Sequence, residues 1–409
     1  QDLALGNQPF HHNNLTIIFN GEIYNHQKLR LDYLKNIQFK TQSDTETLLL
    51  LYIEYGHEMF DMIDGMFAFA IYDSDNSKVI IARDRIGKKP LYIYTNGSDL
   101  MFSSELIGIK AAIKDLDINE EAVSSYLRTG FFFRHHTPYS DIEEVEAGSV
   151  YEIDIKDLSI TKNRFFNLKK FYNCQSGKTL TESVKQLDYL LDKSIKDRLV
   201  SSDIEVGAFL SGGIDSGLIV AIASKYQEQL KTFTVKFDGA YDESSLARLV
   251  SNRYGTEHYE IEIELDLKND IEKILLNYGQ PFMDSSAVPS YYVSREAKKH
   301  VSVILNGDGA DELFGGYRRY VPAANNILKI AKFLRPLIHV LPIAHNKKSL
   351  YNYLFRLLTI SNKTGLDYYL SSTSDVFEGS FEFQNNDILA EMNEFLLSNN
   401  DMSDLSKML

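Results

Sequence analysis

Short apolar runs dominate the first 165 or so residues: LTIIFN, MFAFAIYD, KVIIARD, PLYIYT, MFSSE and SVYEID. Runs of roughly four to eight residues rich in Val, Ile, Phe and Tyr read as β-strands. Turn signals such as Asn96-Gly97 and Asp64-Gly65 separate them. Two stretches with helical spacing interrupt the strands, at 25–35 and 43–55; in the second, Ser43 or Asp44 caps a run of leucines. Many strands with helices laid over them predict stacked sheets with helical outer layers.

From about residue 180 the pattern changes to strand–helix alternation. TLTESVKQLDYLLDKSIKDRLV predicts an amphipathic helix. Strand EVGAFL, a glycine turn and helix IDSGLIVAIASKYQEQL follow, then strand TFTVKF, helix DESSLARLVSNRYG and strand HYEIEI. Later come helix VPSYYVSREAKKH and strand VSVILN. This alternation predicts a doubly wound parallel sheet. The stretch around NRFFNLKKFYNCQSGK, residues 163–178, reads as a linker, set at 166–180 between domains 1–165 and 181–409; after about residue 320 the pattern is helical only. The most apolar late stretch, ILKIAKFLRPLIHVLPIAH, is broken by Lys329, Lys332, Arg335, Pro336 and Pro342. A spanning helix needs about 20 mostly apolar residues, so these are expected to be helices of a soluble protein with no membrane partner.

A chain of 409 residues is long enough for two or three domains. Asp and Glu number 57 against 43 Lys and Arg, a net charge of −14. Nucleic-acid binding is not expected of such a chain, because phosphate contacts need clustered cations. The one cysteine, Cys174, allows no intrachain disulfide and fits a reducing, cytoplasmic compartment. The opening lacks the basic start and apolar run of a signal peptide. There is no initiator Met, and DMSDLSKML stops inside a helical pattern, so the chain reads as a fragment cut at both ends.

Candidate chemistry sits at three places. In FLSGGIDSG, a strand ends at Leu210, Ser211-Gly212-Gly213 turns, and a helix begins with Asp215 and Ser216 in its first turn. Two glycines allow close backbone approach to an anion, and the helix N-terminus presents N–H groups to it. Asp215 makes sense there as a Mg²⁺ ligand beside a polyphosphate. In ILNGDGADELFGGY, Asn306-Gly307 ends another strand and Asp308, Asp311 and Glu312 follow, carboxylates that repel one another unless a cation holds them. Val235 ends a third strand ahead of Asp238-Gly239. In an open parallel sheet ligands bind beyond the strands' carboxyl ends, so an adenine fits between Leu210 and Val235, held by backbone at Val235 and Gly307. In the first half, IIFNGEIYNH delivers Asn20, Gly21 and Glu22 in a row. An Asn amide and the next backbone N–H can form an oxyanion hole for amide hydrolysis; a plain hairpin turn is the competing reading. The pairs His11-His12 and His135-His136 read as loop residues, Lys88-Lys89 as a basic loop pair and Cys174 as an incidental thiol.

SGGIDS resembles the pyrophosphate loop of ATP pyrophosphatases, and together with NGDGADELFGGYRRY it resembles the glutamine-dependent asparagine synthetases. IIFNGEIYNH, TQSDTE and ARDRIGKKPLYI resemble class II glutamine amidotransferase domains. The resemblance implies an αββα Ntn-hydrolase-like glutaminase domain, then a doubly wound ATP-pyrophosphatase domain with a helical C-terminal part. It implies adenylation of the β-carboxylate of aspartate by ATP, with ammonia from glutamine displacing AMP. By the same resemblance Leu210, Ser211, Gly212, Gly213, Asp215, Ser216, Val235, Asn306 and Gly307 contact ATP. Serine is usual where Asn306 stands. Asp308 matches the acid tied to acyl-adenylate formation, and Asp215 and Asp311 match the Mg²⁺–pyrophosphate acids. PFMDSSAVPSYYVSREAK also fits the family, with Asp284 a substrate-contact candidate. Asn20 and Gly21 would stabilise the oxyanion, while Glu22 and Asp44 hold the α-amino end of glutamine beside Ser43.

The family uses an N-terminal cysteine whose α-amine serves as base. Here Gln stands at position 1, the residues that usually follow that cysteine and an arginine for the glutamine carboxylate are absent, and the family pattern runs past both ends. This fragment by itself is therefore expected to lack glutaminase activity. The implied small-molecule partners are glutamine, aspartate and ATP, with a homodimer left open. The alternatives are amidation of another carboxylate, such as a sugar acid or cell-envelope component, and a non-catalytic nucleotide-binding relative.

Overall fold

The computed structural model describes residues 6–172, 177–236, 242–262, 266–317, 320–324, 327–342, 349–363, 365–373 and 386–397. Cys174, Asp238-Gly239, Arg318-Arg319 and the last twelve residues, 398–409, lie outside the described residues. Two compact units form. One comprises Gln1–Asp117, Tyr139–Leu168 and Ser176–Gly307; the other comprises Ile118–Pro138, Lys169–Gln175 and Asp308–Leu409.

The first unit opens with strands β1 (Phe10–His12), β2 (Leu15–Ile23), β3 (Gly65–Asp73), β4 (Lys78–Arg83), β5 (Tyr92–Thr95), β6 (Leu100–Ser103), β7 (Ile142–Glu144), β8 (Ser149–Asp154) and β9 (Ile160–Arg164). They make an antiparallel sheet in the order β1-β2-β3-β4-β8-β9 and a smaller one in the order β6-β5-β7. Successive side chains on a strand face opposite ways, and in β3 both directions are buried. Phe67, Phe69 and Ile71 pack with Leu48, Leu51 and Phe60 of the helices Asp44–Tyr55 and Met59–Met62. Ala68 and Ala70 point to the other sheet and join Ile93 and Tyr151. The outer face of the small sheet, through Tyr92 and Tyr94, packs on Leu106 and Ile109 of helix Leu106–Ala112. The result is helix, sheet, sheet, helix, as expected. His11 and His12, expected in a loop, lie instead in β1, opposite Thr16 and Leu15. Asn13 takes a φ of +52°, which lets a tight turn fold the pair back onto β2.

The same unit continues into four parallel strands, β10 (Val206–Phe209), β11 (Lys231–Lys236), β12 (Glu257–Glu262) and β13 (Val303–Leu305), in the order β12-β11-β10-β13. Ala208 and Leu210 face a core with Ile195 of helix Leu180–Ser201, Val220 of helix Ile214–Ala223 and Ala247 of helix Ser244–Tyr254. Phe209, between them, faces the opposite core with Phe233, Ala297 and Val301. Helices thus cover both faces, the doubly wound arrangement. Helix Ile214–Ala223 stops earlier than its apolar spacing predicts, because the chain turns at 224–229 to enter β11.

The described secondary structure of the second unit is helical, including Glu120–Thr129, Ala310–Phe314, Ile327–Leu334, Leu350–Ile360, Gly365–Thr373 and Asp387–Leu397. Leu366, Leu370, Leu389, Met392 and Leu396 form one of its cores, and Arg134 pairs with Glu391 at 2.9 Å. Among the described residues no helix is long and apolar enough to cross a membrane.

Candidate active site

At the end of β10 the chain makes the turn of the SGGIDS segment, residues 211–216. The Leu210 amide donates to Phe233 O at 2.8 Å, tying the loop entrance to β11. Ser216, in the first turn of helix Ile214–Ala223, accepts from Ser211 N at 3.2 Å, and its hydroxyl lies 3.0 Å from Ser211 Oγ. Gly213 N donates to Ser211 Oγ at 3.3 Å. These bonds fold 211–216 into a cup over the helix N-terminus, where unpaired N–H groups and the dipole favour an anion. Gly212 sits at φ +84°, and a Cβ there would come within 2.7 Å of Leu246 Cβ. Gly307, just after β13, has its would-be Cβ 3.1 Å from Asp215 Cβ. The two glycine turns therefore meet between β10 and β13, where the strand order reverses and ligands of such sheets bind. Asn306 precedes that turn.

A cavity of about 220 Å³ opens beside this loop. Phe209, Leu210 and Ser211 form one wall, Phe233, Thr234 and Val235 another, and Pro289, Ser290 and Val293 a third. Leu210 and Val235 thus line one space. The third wall comes from helix Ala287–Ala297, within the 281–298 stretch. Asp284 is engaged locally, accepting from Ser286 N at 2.8 Å, and is not among the cavity residues.

In the second unit, Gly309 at φ +90° caps helix Ala310–Phe314. Asp308 precedes it. The Asp311 carboxylate lies against Gly316, whose would-be Cβ would fall 1.9 Å from Asp311 Oδ1. Glu312 accepts from the Tyr317 hydroxyl at 2.8 Å.

The first-half motif lies on β2. Asn20 pairs with Ala68, Gly21 with Phe67 and Glu22 with Met66. A Cβ at Gly21 would be 2.1 Å from Met66 O, so only glycine fits this register. Asn20 Nδ2 donates to Ser104 Oγ at 3.3 Å, which fixes the plane of its amide. Asp44, at the start of helix Asp44–Tyr55, accepts from Ile23 N at 3.0 Å and is thereby held next to Glu22. Burial pushes the Glu22 carboxyl above its ordinary range; Ser201 nearby lowers it, the Asp44 charge raises it and the Lys89 charge lowers it. Arg30 clamps the approach to Asp44 by donating to Thr41 O at 2.8 Å and Ser43 O at 2.6 Å. In the third motif, Arg83 and Asp84 hold the chain itself. Asp84 accepts from the backbone N–H of Phe67, Ile86, Lys88 and Lys89. Arg83 donates to carbonyls of Val145, Gly87 and Lys89 and pairs with Glu144 at 2.6 Å.

Sequence reasoning missed Ser104 and the Pro289–Val293 wall beside these candidate residues. Ser104 lies 84 residues from Asn20, and no local pattern announces such a contact. Among the described residues, no group of three or more His, Cys, Asp or Glu is placed to hold a metal ion. Mg²⁺ is commonly bound by one or two carboxylates plus substrate phosphates, and an exposed Asp215 beside an anion cup suits that mode.

A family described as asparagine synthase matches residues 186–399, and one described as glutamine amidotransferase domain matches residues 1–166. A putative glutamine-hydrolysing asparagine synthetase 2 of Methanocaldococcus jannaschii is 35% identical, over 83% of this chain and 66% of that protein. Glutamine-hydrolysing asparagine synthetase 1 of Bacillus subtilis is 38% identical, over 78% and 50%. Asparagine synthetase B of Escherichia coli is 34% identical, over 79% and 56%. The alignments thus span between 50% and 66% of the length of these relatives. A glycine-built anion cup at a parallel sheet's switch point, an amidotransferase-type sheet pair before it, and these matches place the chain in the asparagine synthase family.

Proposed function

We propose that the whole protein makes asparagine from aspartate, with ATP as the activating substrate and glutamine as the nitrogen donor. The observation that carries this reading is the cavity between Leu210 and Val235 ending at the anion cup of 211–216. An adenine in the cavity sets the triphosphate over the helix N-terminus. A β-carboxylate oxygen of aspartate then attacks the α-phosphorus and pyrophosphate leaves. Ammonia attacks the acyl carbon of the resulting β-aspartyl-AMP and AMP leaves. Asp308 is assigned to the adenylation step. Asp215 and Asp311 are assigned to Mg²⁺, which when bound neutralises the pyrophosphate charge. Domains 1–165 and 181–409 divide the two chemistries.

In the first domain Glu22 and Asp44 receive the glutamine ammonium, while the Asn20 amide and a backbone N–H at Gly21 stabilise the oxyanion. The small-molecule substrates and the single cysteine suit a cytoplasmic enzyme. The test is Asp44→Ala in the full-length protein. A buried carboxylate–ammonium pair contributes about 2–5 kcal/mol, so glutamine-dependent synthesis should lose at least ~30-fold in kcat/KM. Ammonia-dependent synthesis should stay within about twofold, since it uses the other domain. Equal losses with glutamine and ammonia would overturn the assignment.

A further inference from the structure

Residues 40–43 run into helix Asp44–Tyr55 outside any strand or helix, and side chains hold them. Glu46, in the first turn of that helix and only 1% exposed, accepts from Lys40 N at 2.8 Å, Thr41 N at 2.7 Å and the Thr41 hydroxyl at 2.8 Å. Thr41 Oγ1 in turn accepts from Ser43 N at 3.1 Å. From helix His26–Tyr33, Arg30 Nη1 donates to Thr41 O, Nη2 to Ser43 O and Nε to Thr47 Oγ1. Its guanidinium lies 4.0 Å from the centroid of the Phe39 ring. A carboxylate only accepts and a guanidinium only donates, so Glu46 takes N–H groups of the segment and Arg30 its carbonyls. The segment ends at Asp44, whose Oδ2 accepts from Ile23 N, next to Glu22 in the chain.

Starting the helix does not need all of these bonds. Ser43 already caps it, with Oγ accepting from Thr45 N at 3.2 Å. A Glu three residues after such a cap commonly returns to the cap's own N–H. Glu46 instead reaches past Ser43 to residues 40 and 41, although a carboxylate out of water is costly unless it is hydrogen-bonded. Its bonds and those of Arg30 set the path by which the chain arrives at Asp44. We propose that Arg30, Thr41 and Glu46 are positioning residues of the glutamine site, holding 40–43 so that the Asp44 carboxylate meets the substrate ammonium in one place. The inference rests on reading Asp44 as an acceptor of that ammonium. In Glu46→Gln the amide keeps one acceptor oxygen and turns a donor toward an N–H, so a bond to the segment is lost. Arg30→Lys keeps the charge but loses the planar fork that spans two carbonyls. Thr41→Val removes the hydroxyl that links Glu46 to Ser43 N, and Thr41→Ser keeps it.

The experiment uses the full-length protein and two amide substrates, L-glutamine and glutaramate, which is glutamine without its α-amino group. Ammonia release from each is followed for the parent, Glu46→Gln, Arg30→Lys, Thr41→Val, Thr41→Ser and Asp44→Asn. Glu46→Gln, Arg30→Lys and Thr41→Val should each lose roughly tenfold or more in kcat/KM for glutamine, chiefly through KM, and stay within about twofold for glutaramate. Thr41→Ser should stay near the parent on both. A displaced Asp44 harms only the substrate that carries the ammonium, whereas a damaged fold harms both. Equal losses on the two substrates would therefore make these contacts structural and overturn the inference. A parent-like preference for glutamine in Arg30→Lys and Thr41→Val, with Asp44→Asn lowering it, would overturn the inference alone; these two variants decide the matter if Glu46→Gln does not fold. An unchanged preference in Asp44→Asn would instead remove the glutamine-site reading beneath it.

Discussion

Gly212 and Gly213 are adjacent, yet the structure asks different things of them. Gly212 lies at φ +84° with Leu246 Cβ 2.7 Å from where a Cβ would stand. Gly213 has an ordinary φ of −71°, and its would-be Cβ finds only Ser211 Oγ, at 3.3 Å. A left-handed conformation costs an L-residue about 1–2 kcal/mol, and overpacking adds about 1–3 kcal/mol. Gly212→Ala should therefore lower the unfolding free energy by roughly 2–5 kcal/mol and weaken ATP binding, while Gly213→Ala should cost less than about 1 kcal/mol. Denaturant melts of the two variants, with ATP titrations beside them, check this. Equal stability losses would show that the turn relaxes and that its positive φ is not what requires glycine. Gly21 is a third case: β-pairing with Phe67 puts Met66 O where a side chain would begin, so the motif's glycine is demanded by the register as well as by the chemistry assigned to it.

Among the elements, the loop after β4 has the most explicit supports. Asp84, only 1% exposed, accepts four backbone N–H bonds from Phe67, Ile86, Lys88 and Lys89. Asp84→Ala strands those donors in the interior, at a cost of about 3 kcal/mol or more. Thermal and denaturant unfolding should show that loss, accompanied by weaker glutamine use because Lys89, whose charge acts on Glu22, is released. A variant as stable as the parent would mean that water replaces the carboxylate. This loop was legible in the sequence as a motif but not as a scaffold, since four amides converging on one carboxylate is a three-dimensional fact. Strands β3, β4, β5 and β8 were legible because both of their faces are largely buried, and β2 because of its apolar run LTIIF, although Ile18 and Asn20 are exposed. β7, with sequence IEE, and β9, ITKNR, were not: each is short, and β9 is an edge strand with mostly exposed side chains. Helix Leu267–Tyr278 was missed because several of its apolar residues, such as Leu275 and Leu276, remain exposed and blur the helical spacing. The SGGIDS segment was read correctly as strand, turn and helix because its glycines and serines lie within six residues of one another. The Ser104–Asn20 and Arg198–Tyr24 contacts link distant segments and leave no local mark.

At the scale of the molecule, two architectures share one chain: an αββα layer stack that brings Glu22 and Asp44 together, and a parallel sheet with a glycine-rich turn beside a small cavity. Family membership fixes the architecture, while the carboxylate that receives the amide is the proposal on which the rest depends. The direct measurement uses the full-length protein with ATP, Mg²⁺ and ammonia, supplied in turn with aspartate, glutamate and sugar acids, following AMP, pyrophosphate and the amide product together. Aspartate alone should support turnover, yielding asparagine, AMP and pyrophosphate in equal amounts. AMP release driven by another acid and not by aspartate, or ADP in place of AMP, would contradict asparagine synthesis through an acyl-adenylate.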